Sequence, residues 1–278
     1  MLNPKFYFWK MKGKTVIVTG ATSGIGRAIA LTFGLRGSKI FITGRNQAAL
    51  DETIAELSEK QIVVRGMIAD AASERDNERV VQEAVAHFGS IDVLVCNAGV
   101  SMRAMFEDLS LETFRSVMDI NFYGTVYATK YALPHLLASK GSLVGISSIN
   151  GHRATPARSA YSASKYAMEG FLESLRTEVM KRGMHVLSVS PGFTSSNIRN
   201  KALNADGKSQ GESPRDESKM MTSEEVAVAV YNAVVARRRD LVLTFQGKLA
   251  VFLNKWFPAW MDKVVWKVMA KEPDSPVR

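Results

Sequence analysis

Thr15-Val16-Ile17-Val18-Thr19-Gly20-Ala21-Thr22-Ser23-Gly24-Ile25-Gly26 is the stretch on which the fold turns. Its β-branched opening favours an extended strand. Glycines follow at once, and a helical pattern begins at residue 25. Gly20 and Gly24 let the backbone turn tightly and approach a pyrophosphate, and Gly26 lets the helix lie close to the strand. Thr22, Ser23 and Ile25 complete the turn. The free N–H groups and positive dipole end of such a helix attract phosphate. Glycine-rich turns are common; this one gains its meaning from the strand–turn–helix context.

Outward from that turn, short β-branched runs alternate with helical patterns. Strands are predicted at 15–19, 39–43, 62–65, 91–96, 142–147, 185–190 and 241–243, with helices near 25–36, 46–59, 74–88, 111–138, 160–182 and 223–237. This alternation predicts a single doubly wound (Rossmann) α/β domain with a parallel sheet of about seven strands. Thr222 and Glu225 have the spacing of a capping box. Residues 1–246 are expected to form the catalytic domain, with the polar stretch 194–221 as a substrate lid. Residues 247–278 form an aromatic and basic extension holding Trp256, Trp260 and Trp266, three of four tryptophans; the fourth is Trp9.

The second strand ends Thr43-Gly44-Arg45. An acid there would bind the ribose 2′-OH of NAD. Arg45 could instead fork onto a 2′-phosphate, although a surface arginine near a helix start would look the same. Asp70, after the third strand, could accept from an adenine amino group or be a solvated loop residue. Asn97-Ala98-Gly99 follows the fourth strand, where small residues would let a cofactor pass close and where an ordinary turn would read alike.

Tyr161-Ser162-Ala163-Ser164-Lys165 opens a helix, with Tyr161 and Lys165 on one face. A tyrosine pKa of roughly 10 is too high for a base near neutrality; a nearby cation favours phenolate, so Lys165 could tune Tyr161 into a general acid/base. Ser148, thirteen residues earlier, could hydrogen-bond a substrate oxygen against the phenol. The amide of Asn121 could hold a water behind Lys165. Pro191-Gly192 and the hydroxyl of Thr194, after the sixth strand, could orient a nicotinamide amide.

Together these residues resemble the short-chain dehydrogenase/reductase family over residues 12–245: Thr19-Gly20, Gly24-Ile25-Gly26, Asp70, Asn97-Ala98-Gly99, Asn121, Ser148, Tyr161, Lys165 and Pro191-Gly192 stand in its order and spacing. The resemblance implies a tetrad of Asn121, Ser148, Tyr161 and Lys165, with Tyr161 as proton donor and Lys165 also holding the nicotinamide ribose. It implies an oxidoreductase that interconverts a ketone and a secondary alcohol. Some NADP-preferring members carry a second basic residue in the glycine turn, where this chain has Ser23, so the expected preference for NADP(H) over NAD(H) rests on Arg45. The C-terminal region resembles a membrane-associated subgroup of that family acting on lipid-like ketones. The alternative is a non-catalytic NADP(H)-binding sensor or scaffold.

A net charge of +9 admits a nucleic acid, an anionic membrane or a phosphorylated ligand as partner. No helix-turn-helix, zinc or RNA-stacking motif accompanies it, so no nucleic acid is expected. His87, His135, His152 and His185 lack ligand spacing, and no metal site is expected. One cysteine, Cys96, precludes an internal disulfide and fits a reducing, cytoplasmic setting. No stretch reaches the ~18 apolar residues of a membrane span. Leu249, Phe252, Leu253 and Trp256 lie at helical spacing, Pro258 should break that helix, and lysines flank both halves. This composition suits peripheral contact with the inner face of a membrane, or packing on the protein's own core or on a second subunit. The expected partners are a small apolar carbonyl or alcohol substrate and a second copy in a homo-oligomer.

Overall fold

The computed structural model describes residues 11–195, 198–211, 220–272 and 275–277. Lys5, Trp9, Lys10 and, within the expected lid, Pro214 lie outside the described residues. Seven parallel strands, β1 (Thr15–Val18), β2 (Lys39–Gly44), β3 (Val64–Ile68), β4 (Val93–Cys96), β5 (Ser142–Ile146), β6 (His185–Ser190) and β7 (Asp240–Val242), form one sheet in the order β3-β2-β1-β4-β5-β6-β7. Strand order reverses beside β1, so a crevice opens beyond the carboxyl ends of β1 and β4.

Successive side chains of a strand point to opposite faces, and the two cores divide on that period. Val16, Val18, Ile40, Ile42, Val93 and Val95 face α1 (Gly24–Gly34), α2 (Gln47–Glu59) and α7 (Ser223–Val235). Ile17, Phe41, Leu94 and Cys96 face α3 (Glu74–Phe88), α5 (Gly124–Ala138) and α6 (Ser159–Val179). Both faces are covered, which is why the central strands read as unbroken apolar runs. The capping box at Thr222 and Glu225 forms as expected, and Cys96 is buried and free.

Two boundaries differ from expectation. The third strand runs from Val64 to Ile68 instead of 62–65. Ile62 packs against Gly34, and an edge strand with one free side accommodates Arg65 and Gly66. The long helix expected at 111–138 is interrupted: α4 (Leu111–Met118) passes through a single π-helical turn, Asp119–Tyr123, before α5 begins. Gly124 follows that turn, where a Cβ would lie 2.6 Å from the Ala71 carbonyl. Such turns concentrate at functional sites, and this one carries Asn121.

The C-terminal extension forms two helices, α8 (Phe245–Trp256) and α9 (Pro258–Ala270), divided at Pro258 as its missing N–H requires. Both dock on the segment after β5. Asn254 donates to the His152 carbonyl (3.1 Å), Asp262 accepts from Arg153 (2.8 Å), and Gly247 abuts Ile149.

Candidate active site

Gly20 and Gly24 take φ +64° and +54°, which side chains with a Cβ rarely adopt. A Cβ at Gly26 would collide with the Asn97 amide nitrogen and the Gly20 carbonyl. Ser23 stands at the N-cap of α1 without capping it, whereas Asn46, Ser73, Ser110 and Thr222 all cap their helices. The first amides of α1 therefore stay available to an anion, and the cradle fits a pyrophosphate.

Asn97 Nδ2 donates to the Thr19 and Gly20 carbonyls at 3.0 Å each, and the amides of Asn97 and Ala98 donate to Thr19 Oγ1 at 3.0 Å. Asn97 thus ties the turn after β4 to the turn after β1. Thr19, the hub of this knot, was not among the expected site residues; its place before the first glycine was the available signal. Arg45 is exposed and makes no hydrogen bond or ion pair with any described residue. Thr22 sits beside Gly44 at that strand end. Asp70 is exposed, with Oδ1 taken by the Ala72 amide (3.0 Å), which leaves its other oxygen for a ligand.

Across the crevice, Ser148 follows β5 and caps a one-turn helix; its hydroxyl accepts from the Asn150 amide (3.2 Å) and stands near enough to the Tyr161 phenol to favour its ionised form. One helical turn beyond Tyr161, Lys165 is 3% exposed. Its Nζ donates to the Ile146 carbonyl at 2.8 Å and lies 5.8 Å from the Tyr161 ring centroid. Gly99 closes the far side: a Cβ there would lie 3.1 Å from Asn121 Oδ1 and 3.7 Å from Lys165 Nζ. Asn121, Ser148, Tyr161, Lys165 and Gly99 therefore converge. Pro191 accepts from the Ile149 amide, Gly192 abuts Thr244, and the buried Thr194 hydroxyl turns back onto the Gly192 carbonyl (3.3 Å).

Asn121 Nδ2 donates to the Val100 carbonyl and to Ser164 Oγ at 2.9 Å each, while Oδ1 accepts from the Val100 amide at 2.8 Å. Both amide donors are engaged, and the side chain pins the loop after β4 to α6. Burial pushes the Tyr161 phenol above the usual tyrosine range, opposed by Ser148 and by Arg158. Arg158 thus acts on the phenol as a cation, and Lys165, whose Nζ is directed at the Ile146 carbonyl, lies 5.8 Å from the Tyr161 ring. Burial in turn pulls Lys165 down to about 8, opposed by Glu169 and Cys96.

The wall beside Tyr161 is apolar: Met102, Ala104, Leu109, Val117, Ala160 and Leu203 pack together there. Leu203 exchanges backbone hydrogen bonds with Ser101 and Arg103, so this part of the 198–211 segment is fastened along the loop after β4.

Sheet order, glycine turn and uncapped helix define a dinucleotide-binding fold of the oxidoreductase type. The family model described as short chain dehydrogenase matches residues 14–207, and the chain belongs to that family of oxidoreductases, which act on CH–OH groups with a nicotinamide cofactor. It is similar to dehydrogenase/reductase SDR family member 7B of Mus musculus, 35% identical over 274 residues, covering 95% of this chain and 84% of the relative. It is also similar to the uncharacterized oxidoreductase YxnA of Bacillus subtilis, 31% identical over 284 residues, covering 99% and 79%. Among solved structures, a short chain dehydrogenase/reductase from Burkholderia phymatum in complex with NAD superposes with a TM-score of 0.81 at 22% identity, over 90% of this chain and 96% of that one. At that identity the likeness speaks to the fold.

Proposed function

We propose that this chain interconverts an apolar ketone and a secondary alcohol with NADP(H), with Tyr161 giving or taking the proton at the substrate oxygen. The observation that carries the reading is the phenol of Tyr161 set beside Ser148 and one turn from the buried cation Lys165, whose Nζ lies 5.8 Å from its ring. Ser148 orients the substrate oxygen, Lys165 holds the nicotinamide ribose and stabilises phenolate by its charge, and Asn121 fixes the loop that covers Lys165. When bound, the nicotinamide supplies or accepts the hydride. Gly20, Thr22, Ser23, Gly24, Ile25 and Gly26 hold the pyrophosphate; Asp70 meets the adenine. Asn97, Ala98, Gly99, Pro191, Gly192 and Thr194 line the nicotinamide side. Arg45, without a hydrogen-bond or ion-pair partner among the described residues and with no acid at the end of β2, supports NADP(H) over NAD(H). The apolar wall beside Tyr161 supports a lipid-like substrate.

In this reading residues 1–246 are the catalytic domain and 194–221 its lid, while 247–278 make contact with the cytoplasmic face of an anionic membrane. Trp256, Trp260 and Trp266 are 64%, 53% and 49% exposed, and Lys248, Lys255, Lys263, Lys267 and Lys271 accompany them. Tryptophan with lysine on a helix surface is an interfacial composition. Among the described residues no helix is long and apolar enough to cross a membrane.

Two experiments test the reading. Tyr161→Phe should reduce NADPH-dependent reduction of benzil, an apolar diketone, at least about a hundredfold, with NADPH affinity within about threefold of the parent. Activity within tenfold of the parent would refute the assignment. For the extension, the full chain should co-sediment with anionic vesicles at low salt, and a chain ending at Gln246 should not. If both stay in the supernatant while the full chain sediments as a dimer in centrifugation, a second copy covers that face instead and the membrane reading is wrong.

A further inference from the structure

Ser188 and Ser190 of β6 are 2% and 1% exposed, on the sheet face that packs against α6. Two hydroxyls on a core face are costly unless something partners them. The partner is Glu169, which accepts from Ser188 at 2.8 and 2.6 Å and from Ser190 at 3.2 Å. His152, in the loop after β5, completes the cluster: its Nε2 lies 2.9 Å from Ser190 Oγ and 3.4 Å from a Glu169 oxygen. Its backbone carbonyl is held by Asn254 of α8. The Glu169 side chain is only 17% exposed.

Glu169 follows Lys165 by four residues, so the two occupy one face of α6. Lys165 Nζ reaches the carbonyl of Ile146, whose register partner on the adjacent strand is Val189. Ser188 and Ser190 flank Val189. Cation and carboxylate therefore stand over neighbouring strand ends, about 5 Å apart in strand spacing. The other groups facing Lys165 are the Tyr161 ring and the buried Cys96 thiol on β4, which burial pushes up to about 12 and thereby keeps neutral. Glu169 also faces His152 and, further along α6, Arg176, which pairs with Asp240.

We propose that Glu169 is a positioning residue of the reaction: its carboxylate, clamped over the end of β6 by Ser188, Ser190 and His152, is the fixed counter-charge that keeps Lys165 an ammonium. The inference rests on the role proposed above for Lys165. A merely structural Glu169 would be replaced without loss by glutamine, whose amide can still bond both serines. A counter-charge would not.

The decisive measurement follows Lys165 itself, by NMR of the protein carrying isotope-labelled lysine, with its signal identified by absence from Lys165→Met. In Glu169→Gln, Lys165 should titrate lower by about one pH unit, and Glu169→Asp should recover most of the shift. The basic limb of kcat for benzil and NADPH should move down by the same amount. An unmoved Lys165 titration in folded Glu169→Gln overturns the proposal, and so does a moved titration with an unmoved rate limb. If Glu169→Gln does not fold, Ser188→Ala with Ser190→Ala decides: freeing the carboxylate to solvent should lower the Lys165 titration, and no change refutes the clamp. Absence of benzil turnover in the parent counts against the proposed reaction, while the NMR titration still decides whether Glu169 holds the charge.

Discussion

Replacing Lys165 with methionine removes a cation that the fold buries at a cost. The ordinary lysine value of 10.5 falls to about 8 here, with burial as the main cause. Below about pH 8 the folded and unfolded chains both carry this proton, so the full penalty of burying the ammonium stands. Between about 8 and 10.5 the unfolded chain binds more protons than the folded one, so stability rises with pH through that window. The gap corresponds to about 3 kcal/mol. Methionine leaves the Ile146 carbonyl, which Lys165 reaches at 2.8 Å, without its donor, a loss of about 1 kcal/mol. Lys165→Met should therefore be more stable than the parent by about 2 kcal/mol near neutrality, while losing turnover, and the advantage should be gone by pH 10.5. Urea denaturation of both proteins at several pH values measures the difference and cancels their shared titrations. A difference that stays flat with pH, or a variant less stable than the parent near neutrality, would refute the buried-charge account.

Arg45→Asp should erase or reverse the preference for NADPH over NADH by at least about tenfold, since a charge-assisted hydrogen bond contributes about 1.5–3 kcal/mol; dissociation constants from nicotinamide fluorescence check it, and equal affinities in the parent would defeat the premise. Gly26→Ala should cost about 2–4 kcal/mol of stability, because the new methyl displaces an amide that makes two hydrogen bonds and overpacks the turn. A thermal melt unchanged from the parent would show that the knot between the β1 and β4 turns is not needed.

The fold was legible because its signals are periodic. Each central strand is covered on both faces, so Val16-Ile17-Val18 and Val93-Leu94-Val95 stand as apolar runs between glycines and helices, and every strand but the third lies where such a run stands. The third strand is shifted because its apolar cluster, Ile62-Val63-Val64, starts two residues before the pairing, which runs from Val64 to Ile68. The π-helical turn was invisible: Asp119 to Tyr123 has no propensity that separates it from an α-helix, and only packing of Gly124 on Ala71 reveals it. Among the candidate site residues, those fixed by backbone geometry or helical spacing were readable, namely Gly20, Gly24, Gly26, Tyr161 and Lys165. Hydrogen-bond destinations were not. Sequence offered no reason to send the Asn121 amide to Val100, or to place Arg158 beside the phenol and leave Lys165 on a backbone carbonyl.

Glu169 shows what lies between those limits. Tyr161, Lys165 and Glu169 fall at four-residue intervals along α6, so one helix face carries a phenol, an ammonium and a carboxylate past the ends of β5 and β6. The phenol meets Ser148, the ammonium meets Ile146, and the carboxylate meets Ser188 and Ser190. Each polar group is matched by a partner at or just beyond the carboxyl end of a strand. A polar helix stripe over an apolar sheet would be expensive anywhere else in this molecule. It is tolerated at the carboxyl edge because the strands stop there, and that is also where the glycine turn and the uncapped end of α1 present their open amides. The place where the sheet can least afford an apolar seal is the place where the fold concentrates its charge.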